Sequence, residues 1–191
     1  MRCNLLLASA ITIAVVLIGC SNNSRTADPE GRVSSEHGLS SSLPADVVFG
    51  DAQGCANLFV YRLDSTGTWS VSVWLYAVDL HLSRDTISFA IPAFSDRQNL
   101  MRIEVLQFSE RVRWYFCNDI GTDERPVRRW KAVAGTLRAS ISRDPLPSNQ
   151  DHSYTTTIIL EDVEFAPEDM GESFTLERIE FTDVDVGYRP G

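Results

Sequence analysis

Three histidines, four cysteines and 26 carboxylates are the groups from which this chain could build a reaction centre or a metal site. Nucleophilic hydrolysis needs a serine or cysteine beside a histidine base, with an acid to orient that base. His37 lies in a Ser-rich stretch, His81 follows an apolar run, and His152 sits among Pro, Asn and Asp; no serine is framed as G-x-S-x-G. An H-E-x-x-H pair and a glycine-rich phosphate loop are both absent. The sequence therefore names no catalytic residue. Two carboxylates that meet only in space would suffice for a glycosidase and leave no local signature, so a secreted-side glycan hydrolase stands as the alternative to a non-catalytic domain.

Asp183 and Asp185 are two apart in an alternating stretch, which puts both carboxylates on one face of a strand. Hard cations such as calcium take several such oxygens, and the run from Asp119 to Glu124 is a second place for one. Acids on a strand face more often form a solvated surface or pair with arginines. No cofactor is expected, and calcium is the alternative that these acids would serve.

The aromatic residues carry a different chemistry. In Trp69-Ser-Val-Ser-Val-Trp-Leu-Tyr, residues Trp69, Val71, Val73 and Leu75 share one face, and Ser70, Ser72, Trp74 and Tyr76 the other. The first face is expected to be core. In Val112-Arg-Trp-Tyr-Phe-Cys117, alternation places Trp114 and Phe116 opposite Tyr115 and Cys117; with Cys117 facing the core, those rings face outward. Trp74, Tyr76, Trp114 and Phe116 are thus candidates for a recognition surface for sugar rings or a protein partner. The competing reading has loops or the tail covering them. Arg125, Arg128, Arg129 and Lys131 form a basic cluster in an acidic chain, suited to pairing with the acidic C-terminal strands or to binding an anion.

Period-two alternation with β-branched and aromatic enrichment dominates from about Val47 onward, and no convincing amphipathic helix interrupts it. Runs at Asn57 to Leu63, Trp69 to Val78, Thr86 to Ile91, Leu100 to Phe108, Val112 to Cys117, Trp130 to Ser142, Tyr154 to Val163 and Phe174 to Val186 predict about eight strands, separated by turn-forming clusters such as Asp64-Ser-Thr-Gly67. The expected class is all-β, a single antiparallel β-sandwich. In the last run Phe174 and Leu176 are even, Ile179 and Phe181 odd, Val184 and Val186 even again. A regular strand cannot turn all six inward, which predicts bulges or breaks near Glu177-Arg178 and Thr182-Asp183, or else burial on both faces.

The address is written at the N-terminus. Arg2 precedes a nearly uninterrupted apolar run from Leu5 to Ile18, too short for a comfortable membrane span and followed at once by Ser21-Asn-Asn-Ser24. Leu17-Ile18-Gly19-Cys20 resembles the lipobox of bacterial lipoproteins, which implies lipidation of Cys20 and cleavage before it. Ser21 after that cysteine implies, by the same resemblance, transfer to the outer membrane. Two or three acyl chains hold a protein stably where one does so marginally. The organisation expected is a signal peptide over 1–19, a lipidated N-terminus and flexible tether over 20–45, and the β domain over 46–191. Alternatives are a retained span, or a secretory signal with an incidental cysteine.

In an exported chain Cys55 and Cys117 are expected to pair, the alternative being two buried free thiols. The formal charge of −9 becomes one unit more negative when Arg2 is removed, which disfavours nucleic acid and anionic lipid surfaces as partners. Gly54 to Tyr61, Leu160 to Phe165 and Ile179 to Gly187 resemble segments of uncharacterised bacterial envelope proteins, a likeness that implies no particular activity. The expectation is a lipid-anchored envelope protein whose non-catalytic β domain binds another envelope component, protein or glycan, or serves a structural role.

Overall fold

The computed structural model describes residues 43–44, 46–91, 100–113, 115–118, 122–143 and 153–187. The leader, Cys20, nearly all of the tether, His37, Trp114, Asp119 and His152 lie outside the described residues. Eight strands follow in order: β1 (Phe49–Cys55), β2 (Phe59–Asp64), β3 (Trp69–Leu75), β4 (Ile87–Ile91), β5 (Met101–Phe108), β6 (Pro126–Ile141), β7 (Ser153–Pro167) and β8 (Phe174–Gly187). Every pairing is antiparallel, and no helix occurs among the described residues.

The expected all-β fold is therefore present, and its layers are parts of one sheet. The order is β1-β2-β3-β5-β6-β7-β8, with β4 on the edge of β6 beyond the segment that β5 occupies. The last three strands are long enough to run from one layer into the other. They turn the corner at Gly135 (φ 117°) and, opposite it, Asp162 (φ 50°). A Cβ on Gly135 would meet the Val163 Cα at 2.7 Å, so β6 and β7 approach there as only glycine allows. The sheet's ends come back together: Ala56 bridges Gly187, and a Cβ on Gly54 would meet the Asp185 carbonyl at 2.7 Å. The result is a sheet coiled nearly into a barrel.

The core lies inside. Val71, Val73 and Leu75 are fully buried and Trp69 nearly so, as alternation in β3 requires, and they pack with Trp130, Leu137, Ile158, Leu160, Phe165 and Phe181. The Asp64-to-Gly67 turn forms as expected, with the Asp64 carboxylate accepting from the Thr66 and Trp69 amides at 3.0 and 2.8 Å. β3 ends at Leu75, three residues early, in a turn that adds Leu80 and Leu82 to the core.

The parity break in β8 has two physical origins. Between Phe181 and Val184 the strand carries an extra residue, with Thr156 opposite Val184 and Ile158 opposite Phe181, and Asp183 takes a positive φ of 51°. This is the bulge expected at Thr182-Asp183. Near Glu177-Arg178 the pairing register does not shift. There the burial phase changes in β7 and β8 together, across the left-handed Asp162, from Ile158 and Leu160 to Val163 and Phe165.

Two sequence expectations are corrected. β1 was not expected as a strand: Phe49 and Ala52 are its only noncysteine apolar residues, and Gly50 and Gly54 weaken its pattern. Residues 112–117 are not a strand; the described residues from Ser109 to Asn118 form a loop folded back over the outer face of the sheet.

Candidate functional site

On the outer face, directly opposed residues of neighbouring strands form three rows. Cys55, Phe59, Trp74 and Arg102 make the first; Gln53, Tyr61, Ser72, Glu104 and Lys131 the second; Leu63, Ser70, Leu106 and Arg129 the third. Much of this face is nonetheless buried: Ser70 is 0 % exposed, Glu104 3 % and Leu106 2 %. The cover is the loop after β5. Leu106, Phe108 and Val112 form a small second core with Leu63, Tyr115 and Phe116 around it, and the Val112 amide donates to the Gly67 carbonyl at 3.0 Å. Cys117 ties the loop to Cys55 on β1, their Cα atoms 5.8 Å apart.

The expected disulfide is thus present, but not in the expected setting. Cys117 is exposed, with a positive φ of 54°, and does not face the core. Alternation therefore gives no orientation for Trp114 or Phe116. Trp114 lies outside the described residues. Phe116 reaches the outer face because the loop carries it there, its ring stacked on Tyr61 at 4.5 Å and tilted against Phe59 at 5.6 Å. From Phe59 the contacts continue to Trp74 at 5.8 Å and on to Tyr76 at 6.2 Å; from Phe116 they continue to Tyr115 and then Phe108, each step 4.8 Å.

Three of the four candidate rings, Trp74, Tyr76 and Phe116, therefore belong to one aromatic cluster. The loop covers Phe59 and Tyr61, while Trp74 stays half-buried and Tyr76 is 44 % exposed. Burial pushes the Tyr61 hydroxyl above the usual phenol range. Phe59 and Tyr61 were the rings sequence reasoning missed, although both alternate with the core residues Leu58 and Val60.

Between Trp74 and Phe59 on one side and Tyr115 to Asn118 on the other lies a groove of about 470 Å³. Arg102, Glu104 and Arg129 form its charged part. Arg102 Nε and Arg129 Nη1 each reach a different oxygen of Glu104, both at 3.4 Å, and the Arg102 guanidinium lies 5.5 Å from the Trp74 ring centroid. Glu104 is the one carboxylate among the described residues lining the groove.

Two members of the basic cluster, Arg129 and Lys131, pair internally with acids other than those expected, and Arg125 donates to the Thr122 and Glu124 carbonyls. Arg129 Nε lies 3.5 Å from Glu168 and Lys131 Nζ 2.5 Å from it. The acids of β7 and β8 have their own partners, Glu161 with Arg138 and Arg178, and Glu180 with Arg178. The Lys131 hydrogen bond, helped by the charges of Arg129 and Arg102, holds the Glu168 carboxyl below the ordinary glutamate range. A depressed carboxyl stabilises the fold above its unfolded pKa, and that contribution disappears as pH falls through the lower folded value. In a carbon-detected NMR titration Glu168 is expected to protonate at lower pH than a free glutamate, and Lys131→Ala to move it back.

A second cleft, about 880 Å³, opens where β1 and β8 meet, and Asp51, Asp183, Asp185 and Arg62 are among its lining residues. The two candidate calcium ligands are both there and both exposed. No group of three or more His, Cys, Asp or Glu side chains placed to share a metal ion occurs among the described residues. Of the Asp119–Glu124 run, Thr122, Asp123 and Glu124 are described, and the Glu124 Oε1 accepts from the Arg113 amide at 3.2 Å. No helix among the described residues is long and apolar enough to cross a membrane. No protein family, curated protein or solved structure matches the chain.

Proposed function

We propose that this chain is a lipoprotein of the bacterial envelope, held on the outer membrane by acyl chains on Cys20, whose β domain is a non-catalytic binding module. The observation that carries the binding reading is the groove: Trp74 and Phe116 flank it, Tyr76 extends the aromatic surface from Trp74, and two guanidiniums and a carboxylate lie between its walls. Half-exposed rings beside charged groups suit recognition of an amphipathic ligand such as a sugar. The hydrolase alternative requires two carboxylates facing one bond, and Glu104 lines the groove with two arginines as its partners. In the β1/β8 cleft the three aspartates are exposed, and no aromatic ring is among the described lining residues.

Crosslinking in intact envelopes, followed by pull-down, tests the reading. Wild-type chain should capture a defined envelope component, and Trp74→Ala should lose it through a drop of about 2 kcal/mol in affinity, the scale of a central aromatic anchor. Equal capture by both would remove the groove from consideration. Cys20→Ala should yield unprocessed or soluble precursor; if it still fractionates as mature protein with the outer membrane, the lipid anchor is wrong.

A further inference from the structure

We infer that the groove's ligand is a saccharide bearing a carboxylate, which rests on reading the groove as the binding site and adds the chemical class of what it takes. Glu104 is 3 % exposed and lies between the guanidiniums of Arg102 and Arg129. Neither guanidinium sits tightly on Glu104: the nearest approach of each is 3.4 Å, longer than a close charge-assisted hydrogen bond, and while Arg129 also pairs with Glu168, Arg102 faces solvent. Arg102 remains 54 % exposed in its side chain, above the ring of Trp74.

Glu104 thus acts as an internal strut. It draws two guanidiniums toward one point on the sheet, which lowers the side-chain freedom they lose when a ligand arrives. Counting the pairs that reach the groove's charged residues, Arg102, Arg129 and Lys131 against Glu104 and Glu168 leave one surplus positive charge there, in a chain whose net charge is −9. One singly charged carboxylate neutralises that surplus; a phosphate monoester, at about −1.5 to −2 near neutral pH, overshoots it.

The remaining lining fits a sugar ring. Trp74 offers a partly open aromatic face for the C–H side of a pyranose, Phe116 and Tyr115 close the opposite side, and Ser72 and Asn118 bring polar groups among them. About 470 Å³ lies within the usual range for small-ligand sites, about 300–1,000 Å³.

The test uses mature lipidated protein in detergent and three carboxylated oligosaccharides, a uronate, a sialate and a lactyl-ether sugar, each beside its carboxyl-reduced neutral form. Binding is read by calorimetry and tryptophan fluorescence. At least one acidic form should bind roughly tenfold or more tighter than its neutral counterpart, with an advantage that shrinks as salt rises. Arg102→Gln should abolish the preference, Arg102→Lys should restore part of it, and Trp74→Ala should weaken acidic and neutral forms alike. Arg129→Gln repeats the charge test, with a thermal melt to verify folding. Equal binding of acidic and neutral forms overturns the inference and leaves the groove standing as a binding site. Failure of all three acidic sugars overturns it too, and capture of an envelope protein lost in Trp74→Ala would then assign the groove to a protein partner. Sugar binding unchanged in every groove variant overturns both the inference and the groove.

Discussion

Replacing Cys55 and Cys117 with serine is expected to lower the stability of the β domain by about 4 kcal/mol, the chain-entropy value for a closed loop of this size. The bridge spans 62 residues, from β1 across β2 to β5 and into the loop after β5. For a domain of this size the melting midpoint should fall by about 10 °C. The loss should also be local. Without Cys117 as an anchor, the loop keeps the contacts of Val112, Tyr115 and Phe116 and the amide bond to Gly67, but loses the covalent tie of its far end to β1. Phe59 and Tyr61 should then become accessible, and groove affinity should fall by more than the Tm alone implies. Denaturant unfolding with and without reductant, with hydrogen exchange along 109–118, checks this. A loss below about 1 kcal/mol with the loop still protected would show that side-chain packing holds the loop unaided.

The second large effect concerns the tryptophans on the two faces of the sheet. Trp130 is fully buried, stacked on Trp69 at 5.5 Å and edge-on to Phe174 at 5.8 Å, and its Nε1 donates to the Glu172 carbonyl at 3.2 Å. Trp130→Ala should cost about 3–5 kcal/mol, from lost transfer energy and the cavity left behind. Trp74 on the outer face is half-buried against Phe59, Tyr76 and Arg102. Its truncation should cost about 1.5 kcal/mol, the scale of its ring contacts. Thermal melts of the two variants should therefore separate widely. A drop for Trp74→Ala as large as that for Trp130→Ala would make Trp74 a core residue and leave the groove without its anchor.

Much of the scaffold was legible because alternation is a direct imprint of burial. Val71, Val73 and Leu75 inward, Trp74 and Tyr76 outward and the bulge at Thr182-Asp183 follow from local pattern, and the Cys55–Cys117 pair from the two cysteines that an exported chain retains besides Cys20. What misled was a loop that packs like a strand. Val112, Tyr115 and Phe116 are apolar because they cover the sheet, and an apolar cover over a short stretch has the composition of an apolar strand. The groove itself was half legible. Trp74, Tyr76 and Phe116 were named from residue type, but Arg102, Glu104 and Arg129 meet through the β3-β5-β6 order, and pairing order is not encoded in any one segment. Glu104 gives no local sign at all: it is a charged residue at an outward position, buried by a loop that arrives later in the chain.

The incompletely closed sheet has a consequence for a protein crowded among copies of itself. β1 and β8 meet at Gly54 and at the Ala56–Gly187 bridge, and elsewhere the two strands diverge around the cleft lined by Asp51, Asp183 and Asp185. An open strand edge is a template on which another chain can add, and natural sheets guard such edges with bulges and with charge. This seam has both. The bulge at Asp183 breaks the straight run of backbone donors and acceptors that an incoming strand would match, and a second copy approaching seam to seam would bring its own aspartates against these three. The carboxylates that look like a metal site in the sequence thus set a charge barrier against strand addition along this seam.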